Sequence, residues 1–420
     1  MERILMKLAL IIDDYLPHST RVGAKMMHEL ALELMKQGHE VTVITPHFDK
    51  DKPILIEDRF DGVAVWRFLS GQIKDVHKIK RAINETLLSY RAWHAIQRKV
   101  DRSTFDGVVY YSPSIFFGSL VSNIKKRCQC NSYLVLRDFF PQWAIDSGLM
   151  KEGSVIERYF RFFESASYRQ ADSIGVMSEK NLEIFNSNTE QQYPTTILRN
   201  WANLSPHDLS DKASNLRERL EINDEVIYFY GGNIGHAQDM ANLMRLARSM
   251  QCFDKAHFLF VGQGDEVKLV NDLMKEWNLT NCTYLPSVSQ DEFKDILAQV
   301  DVGLFSLSSQ HSAHNFPGKL LGYMVQSLPI LGSVNQGNDL MDLVNASHAG
   351  LISVNGDDDV FFENASKLQN DAELRRTIGV SGYKLLEKEF EVGNIANSVV
   401  ESLNRKNTGH PCIWRVSNPD

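Results

Sequence analysis

The sequence predicts two doubly wound α/β domains, and three observations carry that prediction. Short apolar runs alternate with amphipathic stretches along nearly the whole chain, which is the strand and helix order of parallel sheets. The plan then restarts: a strand, a Gly-rich turn, a helix and a strand from Glu225 repeat the strand, loop, helix and strand that open at Lys7. Finally, 420 residues exceed what one core serves, since domains run to about 100–200 residues.

The first half opens on KLALII, an apolar run of strand length, followed by the loop DDYLPHSTRVG. AKMMHELALELMKQG then places Met26, Leu30 and Leu34 on one helical face, and Gly38 ends that helix. HEVTVITP is the second parallel strand, and GVAVWRF, GVVYYS, SYLVLRD and SIGVMS follow, most of them separated by helical stretches. At PTTILRNWAN the chain returns to strand, and SDKASNLRERLEINDE reads as polar and helical, so the domain boundary is placed near residue 200. EVIYFYGGNIG, the helix DMANLMRLARSM and AHFLFVGQGDE begin the second half, with later strands at CTYLPS, VGLFSLS, LPILGS and AGLISV. EFEVGNIANSVVESLN closes the chain as a helix. The expected organisation is a first domain over 1–199, a second over 200–388, a helix over 389–405 packing back on the first domain, and a loose tail over 406–420.

Composition excludes several classes. With 43% hydrophobic and 23% charged residues the chain reads as a globular enzyme. Among five cysteines, Cys128 and Cys130 are too close for an ordinary bridge, and Cys252, Cys282 and Cys412 follow no zinc spacing, so a reduced, cytoplasmic protein is expected. The apolar stretch Leu8–Ile12 is far too short for a signal peptide or a membrane span. A net charge of −8 argues against nucleic acid as a partner. Residues 70–102 nevertheless hold eight Lys/Arg against three Asp/Glu.

Taken in succession, GHEVTVITP, ADSIGVMSEKNLEIF, ILRNWANL, FVGQGDE, LPSVSQDEFKDILAQVDVGLFSLS and GKLLGYMVQSLPILGS resemble the retaining glycosyltransferases of family 4 over roughly residues 7–405. The order of the pieces carries the resemblance, each being weak alone. YGGNIGHAQDM and HNFPGKLLGYM are most similar to the WbuB-type transferases of O-antigen assembly, associated with N-acetyl-L-fucosamine. The resemblance implies a GT-B fold, with two Rossmann-like domains facing across a cleft. It also implies transfer with retention from a UDP-sugar to a polyprenyl-diphosphate-linked sugar, in O-antigen or surface polysaccharide assembly.

A donor diphosphate needs backbone N–H groups and positive charge. The turn Gly231, Gly232, Asn233, Ile234, Gly235 lies between a strand and a helix and offers the former, as does any tight βα turn built on glycine. The family commonly has an arginine and a lysine in this loop, where this chain has Asn233 and Gln238. Lys319, after Gly318 at a helix start, is then the candidate cation for the leaving group. The family's two glutamates, eight residues apart, fall on His314 and Gly322, so the donor-sugar contact is assigned to His314 or Asn315 and the ribose contact to no residue. By resemblance Gly262, Gly264 and the segment 286–289 lie near the nucleotide base.

In the first domain, Arg21, Arg137 and Asp138 stand in loops at strand carboxyl ends, where doubly wound sheets bind ligands. Arg137 occupies a place where the family often has histidine. It reads either as a cation for phosphate or as half of an Arg–Asp pair tying the strand to its neighbours. Arg199 and Asn200 are a further pair at the crossover. No aspartate pair follows a strand in the metal-binding manner, and GDDDVFF precedes a helix, where acids have a dipole explanation. His311 and His314 lack an acidic partner. Transfer is therefore expected to need neither metal nor cofactor.

The stretch 73–99 repeats Val76, Ile79, Ile83, Leu87 and Tyr90 at helical spacing, with Lys74, Lys80, Arg81, Arg91 and Arg98 largely opposite. It is either a solvated helix with its apolar face in the core or a helix lying on the anionic inner membrane, which would make the protein peripheral there. Rival functions are a GT-B sugar-nucleotide epimerase and a non-catalytic binder of nucleotide sugars. A dinucleotide oxidoreductase is disfavoured because the first loop lacks G-x-G-x-x-G.

Overall fold

The computed structural model describes residues 5–405 other than 20, 74–75, 113, 147, 210–213 and 310–315, together with the backbone but not the side chain of Lys78. The chain divides into two compact units: Met1–Asn200 with the chain from Val392 on, and Trp201–Glu391.

The first unit is built on β1 (Lys7–Ile11), β2 (Glu40–His47), β3 (Leu55–Phe60), β4 (Val63–Leu69), β5 (Gly107–Ser112), β6 (Asn131–Leu136), β7 (Ser173–Val176) and β8 (Thr195–Ile197). They form one sheet in the order β3-β4-β2-β1-β5-β6-β7-β8. Every pairing is parallel except the β3–β4 hairpin. That hairpin went unread in the sequence. Asp61 and Gly62 turn it, both at positive φ (48° and 83°), which only the primed hairpin turns require. β3 then exposes Glu57, Asp58 and Arg59 along the sheet edge, where charge discourages further pairing.

Helix Val22–Lys36 buries Met26, Leu30 and Leu34 as its spacing predicts. The final helix, Val392–Asn404, packs against it and against β6, and Asn131 donates to the Leu403 carbonyl at 2.8 Å. The basic stretch forms two helices, Lys78–Thr86 and Leu88–Ile96. Here the expected core face is wrong. Leu88, Ala92 and Ile96 are buried, whereas Ile79, Ile83, Leu87 and Tyr90 are exposed, because the four-residue spacing that meets the sheet starts at Leu88. Lys74 lies outside the described residues.

The second unit contains β9 (Val226–Asn233), β10 (Ala256–Gln263), β11 (Cys282–Leu285), β12 (Val302–Ser306), β13 (Ile330–Val334) and β14 (Gly350–Val354), all parallel, in the order β11-β10-β9-β12-β13-β14. Both faces are covered. Phe229 and Val261 pack with Leu320 and Leu386 on one side, while Tyr228 and Phe258 pack with Leu243 and Phe361 on the other. Burial on both faces is why β9 reads as a continuous apolar run.

Among the described residues of the polar stretch 210–225 there is one short helix, Leu216–Arg219, where the composition reads as helical throughout. Asn215 caps its start, and Glu221 at φ 57° turns the chain out of it. At the other end of the unit, Ala202 donates to the Phe390 carbonyl at 3.0 Å and bridges Glu391, so this unit keeps the chain through Glu391.

Candidate functional site

In the second unit the glycine turn is laid directly on its neighbouring strand. β9 and β10 stay in register to their last residues, Gly262 opposite Gly232 and Gln263 opposite Asn233. The contact continues past the strands, since Ile234 N–H donates to Gln263 (2.9 Å) and Glu266 N–H donates to Ile234 (3.0 Å). A Cβ on Gly262 would lie 1.8 Å from the Gly232 carbonyl oxygen, and one on Gly264 would lie 2.1 Å from that of Ile234. These two glycines therefore give the turn room to sit, which is a structural duty. Gly232 itself, at φ 122°, takes the conformation glycine favours.

Beyond Gly235 the chain makes a single turn, His236–Gln238, and then helix Met240–Ser249. This helix start is not open to an anion. Asp239 accepts from the Asn242 N–H (3.3 Å) and Glu266 from that of Met240 (3.1 Å), so two carboxylates already occupy the first turn. Phosphate brought there would meet like charge. At the two positions where cations were missing, Asn233 Nδ2 donates to Gln238 Oε1 at 2.8 Å.

Positive charge enters from another element. Lys319 is the second residue of helix Gly318–Val325, whose start has no side-chain cap and no acid in its first turn. Its Nζ sits 3.6 Å from the centroid of the Tyr230 ring, a cation–π contact. Gly232 is adjacent: a Cβ there would lie 3.7 Å from both Cε and Nζ of Lys319. Tyr230 is held neutral, since burial raises its phenol well above the ordinary range, and its hydroxyl donates to the Asn233 carbonyl. Burial also pushes the Lys319 ammonium down to about 7. Lys319 makes no ion pair among the described residues. The structure thus brings Gly232, Gly318 and Lys319 together at an uncapped helix start, with no ion pair on the lysine among the described residues, an arrangement suited to a phosphate group, whereas Gly231 is buried and a Cβ there would meet Phe293 and Phe229.

Strand ends beneath hold the turn in place. Asn242, almost fully buried, donates to Ser306 Oγ (3.1 Å) and to Ser333 Oγ, while Asn355 donates to Asp239 Oδ2 (3.0 Å) and to the Leu307 carbonyl (2.8 Å). Ser308 N–H donates to the Ala237 carbonyl at 3.0 Å.

Residues 212–385, nearly all of this unit, match the family described as glycosyl transferases group 1. Among known proteins, the probable glycosyltransferase WbjE of Pseudomonas aeruginosa is 23% identical over 220 residues, which is 52% of this chain and 54% of that relative. The match thus spans about half the length of each. Solved structures align over nearly the whole chain. Sucrose-phosphate synthase from Thermosynechococcus elongatus gives a TM-score of 0.69 at 16% identity, covering 94% of this chain and 97% of its own. Anabaena HepE in complex with UDP and glucose gives 0.66 at 13%, covering 95% and 99%. WaaG, a glycosyltransferase involved in lipopolysaccharide biosynthesis, gives 0.58 at 13%, covering 94% and 99%. At such identities the likeness establishes the fold, and that fold is GT-B.

Within the second unit, His314 and Asn315 lie outside the described residues. Gly322 is inside helix Gly318–Val325, and a Cβ there would touch Leu297 at 3.4 Å. Asp357 caps helix Asp358–Asn370 through the Val360 N–H, and Asp358 pairs with Arg245 at 2.7 Å, so the acidic run at 357–359 serves a helix start. Sequence reading did not weigh Glu266, although FVGQGDE was in view. It accepts from Met240 N–H and holds His236 Nδ1 at 2.7 Å.

In the first unit, Arg137 is buried at the end of β6 and donates to the carbonyls of Leu198 (2.7 Å) and Arg199 (3.1 Å), which ties β6 to the crossover. Burial lowers its guanidinium to about 10. Burial likewise raises the Asp138 carboxyl to about 6, into the range of a proton carrier near neutrality. Arg21 pairs with Asp14 at 3.5 Å, and Arg199 with Glu179 at 2.7 Å. The loop after β1 has anchors that were not legible in the sequence. Tyr15 OH meets His28 Nδ1 at 2.7 Å, His28 Nε2 meets Asp61 at 3.0 Å, and Arg67 donates to the Leu16 carbonyl at 2.6 Å.

Proposed function

We propose that the protein is a glycosyltransferase that moves a sugar from a UDP-sugar to a polyprenyl-diphosphate-linked sugar at the cytoplasmic face of the inner membrane. The observation that carries this reading is the Lys319 ammonium, stacked on Tyr230 beside Gly232 at an uncapped helix start, inside the unit that matches the group 1 glycosyl transferases. During transfer the bond from the anomeric carbon to the diphosphate breaks and charge grows on the departing oxygen. Lys319 and the N–H groups at the start of its helix stabilise that charge, and no divalent ion or other cofactor is required. Asp138 is the group in the first unit suited to accept the acceptor's proton.

The finer assignments rest on resemblance. Retention follows the family 4 likeness, and N-acetyl-L-fucosamine as the sugar and O-antigen as the product follow the WbuB-type wording of 230–240 and 314–324. A UDP donor accords with a structural neighbour seen with UDP and glucose, and surface polysaccharide with WaaG.

The test is incubation with a panel of UDP-sugars and a polyprenyl-diphosphate-linked sugar, with EDTA present throughout. UDP release and an extended lipid, both dependent on acceptor, are expected. UDP released equally without acceptor would indicate an epimerase instead, and activity restored only by magnesium or manganese would reject the metal-free mechanism.

A further inference from the structure

In the first unit, the side chain of Tyr111 ends at the start of a helix with its hydroxyl open. Tyr111 is next to last in β5 and only 8% exposed, and its hydroxyl makes no hydrogen bond among the described residues. The tip of the ring lies against Gly23, where a Cβ would stand 2.9 Å from the hydroxyl oxygen and 3.0 Å from Cε1. Gly23 is the second residue of helix Val22–Lys36, which begins with no side-chain cap and no acid in its first turn. The first N–H groups of a helix have no partner within it, so phenol and helix start lie side by side as hydrogen-bond donors. Burial pushes the phenol up to about 12, against the pull of Arg137 and with the help of Asp13 and Asp138, so it stays protonated near neutral pH. Buried hydroxyls are nearly always bonded, and one left open at a helix start marks a place that a ligand completes.

Acceptors stand on the neighbouring strand ends. In the order β1-β5-β6, Asp13 follows β1 and Asp138 follows β6, on either side of the strand that carries Tyr111. Asp138 makes no hydrogen bond or ion pair among the described residues. Arg137, the cation that acts on Tyr111, donates to the Leu198 and Arg199 carbonyls. This mixture of groups selects the ligand. A phosphate, which chiefly accepts, would find the donors but meet two carboxylates. A sugar hydroxyl both accepts and donates, so it can take a hydrogen bond from Tyr111 and give one to an aspartate.

We infer that Tyr111 determines acceptor specificity: its hydroxyl, beside the start of helix Val22–Lys36, donates to a hydroxyl of the acceptor's terminal sugar other than the one that reacts. The assignment rests on the proposed transfer to a linked sugar and names the group that reads that sugar. Tyr111 takes no part in the bond change. Because its hydroxyl serves a ligand and not the fold, removing it weakens recognition without weakening the protein, the reverse of what a hydrogen-bonded structural tyrosine shows.

The experiment compares the full chain with Tyr111→Phe, using a panel of methyl glycosides of hexoses and N-acetylhexosamines as probes in saturation-transfer NMR. The wild type should bind at least one glycoside, and millimolar inorganic phosphate should not displace it. Tyr111→Phe should weaken that binding about tenfold, the worth of one neutral hydrogen bond, with UDP affinity unchanged and a melting temperature equal or higher. In transfer, the same variant should raise KM for the polyprenyl-diphosphate-linked sugar by a similar factor and leave KM for the UDP-sugar as it was. Absence of any glycoside binding, equal binding by the variant, or displacement by phosphate overturns the proposal. An equal fall in UDP affinity would assign the hydroxyl to the donor, and a lowered melting temperature would make it structural, and either result overturns it as well. A wild type that binds a glycoside through Tyr111 but transfers no sugar keeps the subsite and loses the transfer reading.

Discussion

Lys319 should take up a proton when the donor's diphosphate arrives, and the structure sets how much. Burial holds its ammonium near 7 against an ordinary 10.5, with the neutral Tyr230 ring beneath it. A lysine titrating near 7 is about half neutral at pH 7 and roughly nine-tenths neutral at pH 8. Bound diphosphate favours the charged form, so UDP binding should carry about 0.5 proton into the protein at pH 7 and about 0.9 at pH 8. UDP affinity should fall about fivefold between pH 7 and pH 8, approaching about tenfold per unit at higher pH. Titration calorimetry in two buffers of different ionisation enthalpy reads the proton count as the difference in apparent heat. Lys319→Met should bind UDP at least tenfold more weakly at pH 7, with no uptake assignable to this residue. The fold should respond in the opposite sense. Because the folded state holds the lysine below its unfolded value, the unfolded chain binds more protons between about 7 and 10.5. The resulting penalty on folding is complete below pH 7 and fades as pH rises toward 10.5, so Lys319→Met should raise Tm more at pH 6 than at pH 10. UDP binding without proton uptake at pH 8, or uptake that persists in Lys319→Met, would refute the reasoning.

Two further substitutions test the turn itself. Gly262→Ala should cost the folded state about 3 kcal/mol or more, since its Cβ would stand 1.8 Å from a backbone carbonyl oxygen that cannot move without unpairing β9 from β10. A thermal melt with an unchanged midpoint would show that the turn is not laid on β10 as described. Asn233→Arg combined with Gln238→Lys replaces the amide pair with two cations and should tighten UDP binding about tenfold at low salt, with the gain shrinking as salt rises. Equal affinity for the double variant and the wild type would place the diphosphate away from this loop.

The fold was legible where burial is two-sided and periodic. The β1 and β9 runs and the Met26, Leu30, Leu34 face could be read directly, because sheets covered on both faces write continuous apolar strands. The β3–β4 hairpin was missed even though Asp61-Gly62 is a strong turn signal, because the edge strand LIEDRF hides its period behind charge. The basic stretch misled for a related reason. Periodicity shows that a helix has an apolar stripe but not which stripe meets the sheet, and here Leu88, Ala92 and Ile96 do. Of the site, Lys319 and the glycines were visible as residue types in a strand-to-helix setting. Glu266, Asn242 and Asp239 were not, since their importance lies in hydrogen bonds to backbone and side chains 26 to 116 positions away.

The same hydrogen bonds explain how the site tolerates having lost two cations. An arginine and a lysine in the glycine turn would lie close to Asp239, Asp265 and Glu266. In this chain those carboxylates are engaged locally, Asp239 and Glu266 at the first turn of helix Met240–Ser249 and Asp265 and Glu266 around His236. The helix start that glycine turns usually present to phosphate is thereby closed, and under the proposed function the task passes to the uncapped start of Gly318–Val325, worth about half a positive charge, together with one lysine. A permanently charged lysine buried beside Tyr230 without a carboxylate would weigh on the empty protein. Titration near neutrality lightens that burden, because about half of the Lys319 side chains can be neutral at pH 7 until a diphosphate supplies the countercharge. The full cation is then present when the donor is, which is the condition under which the leaving group needs it.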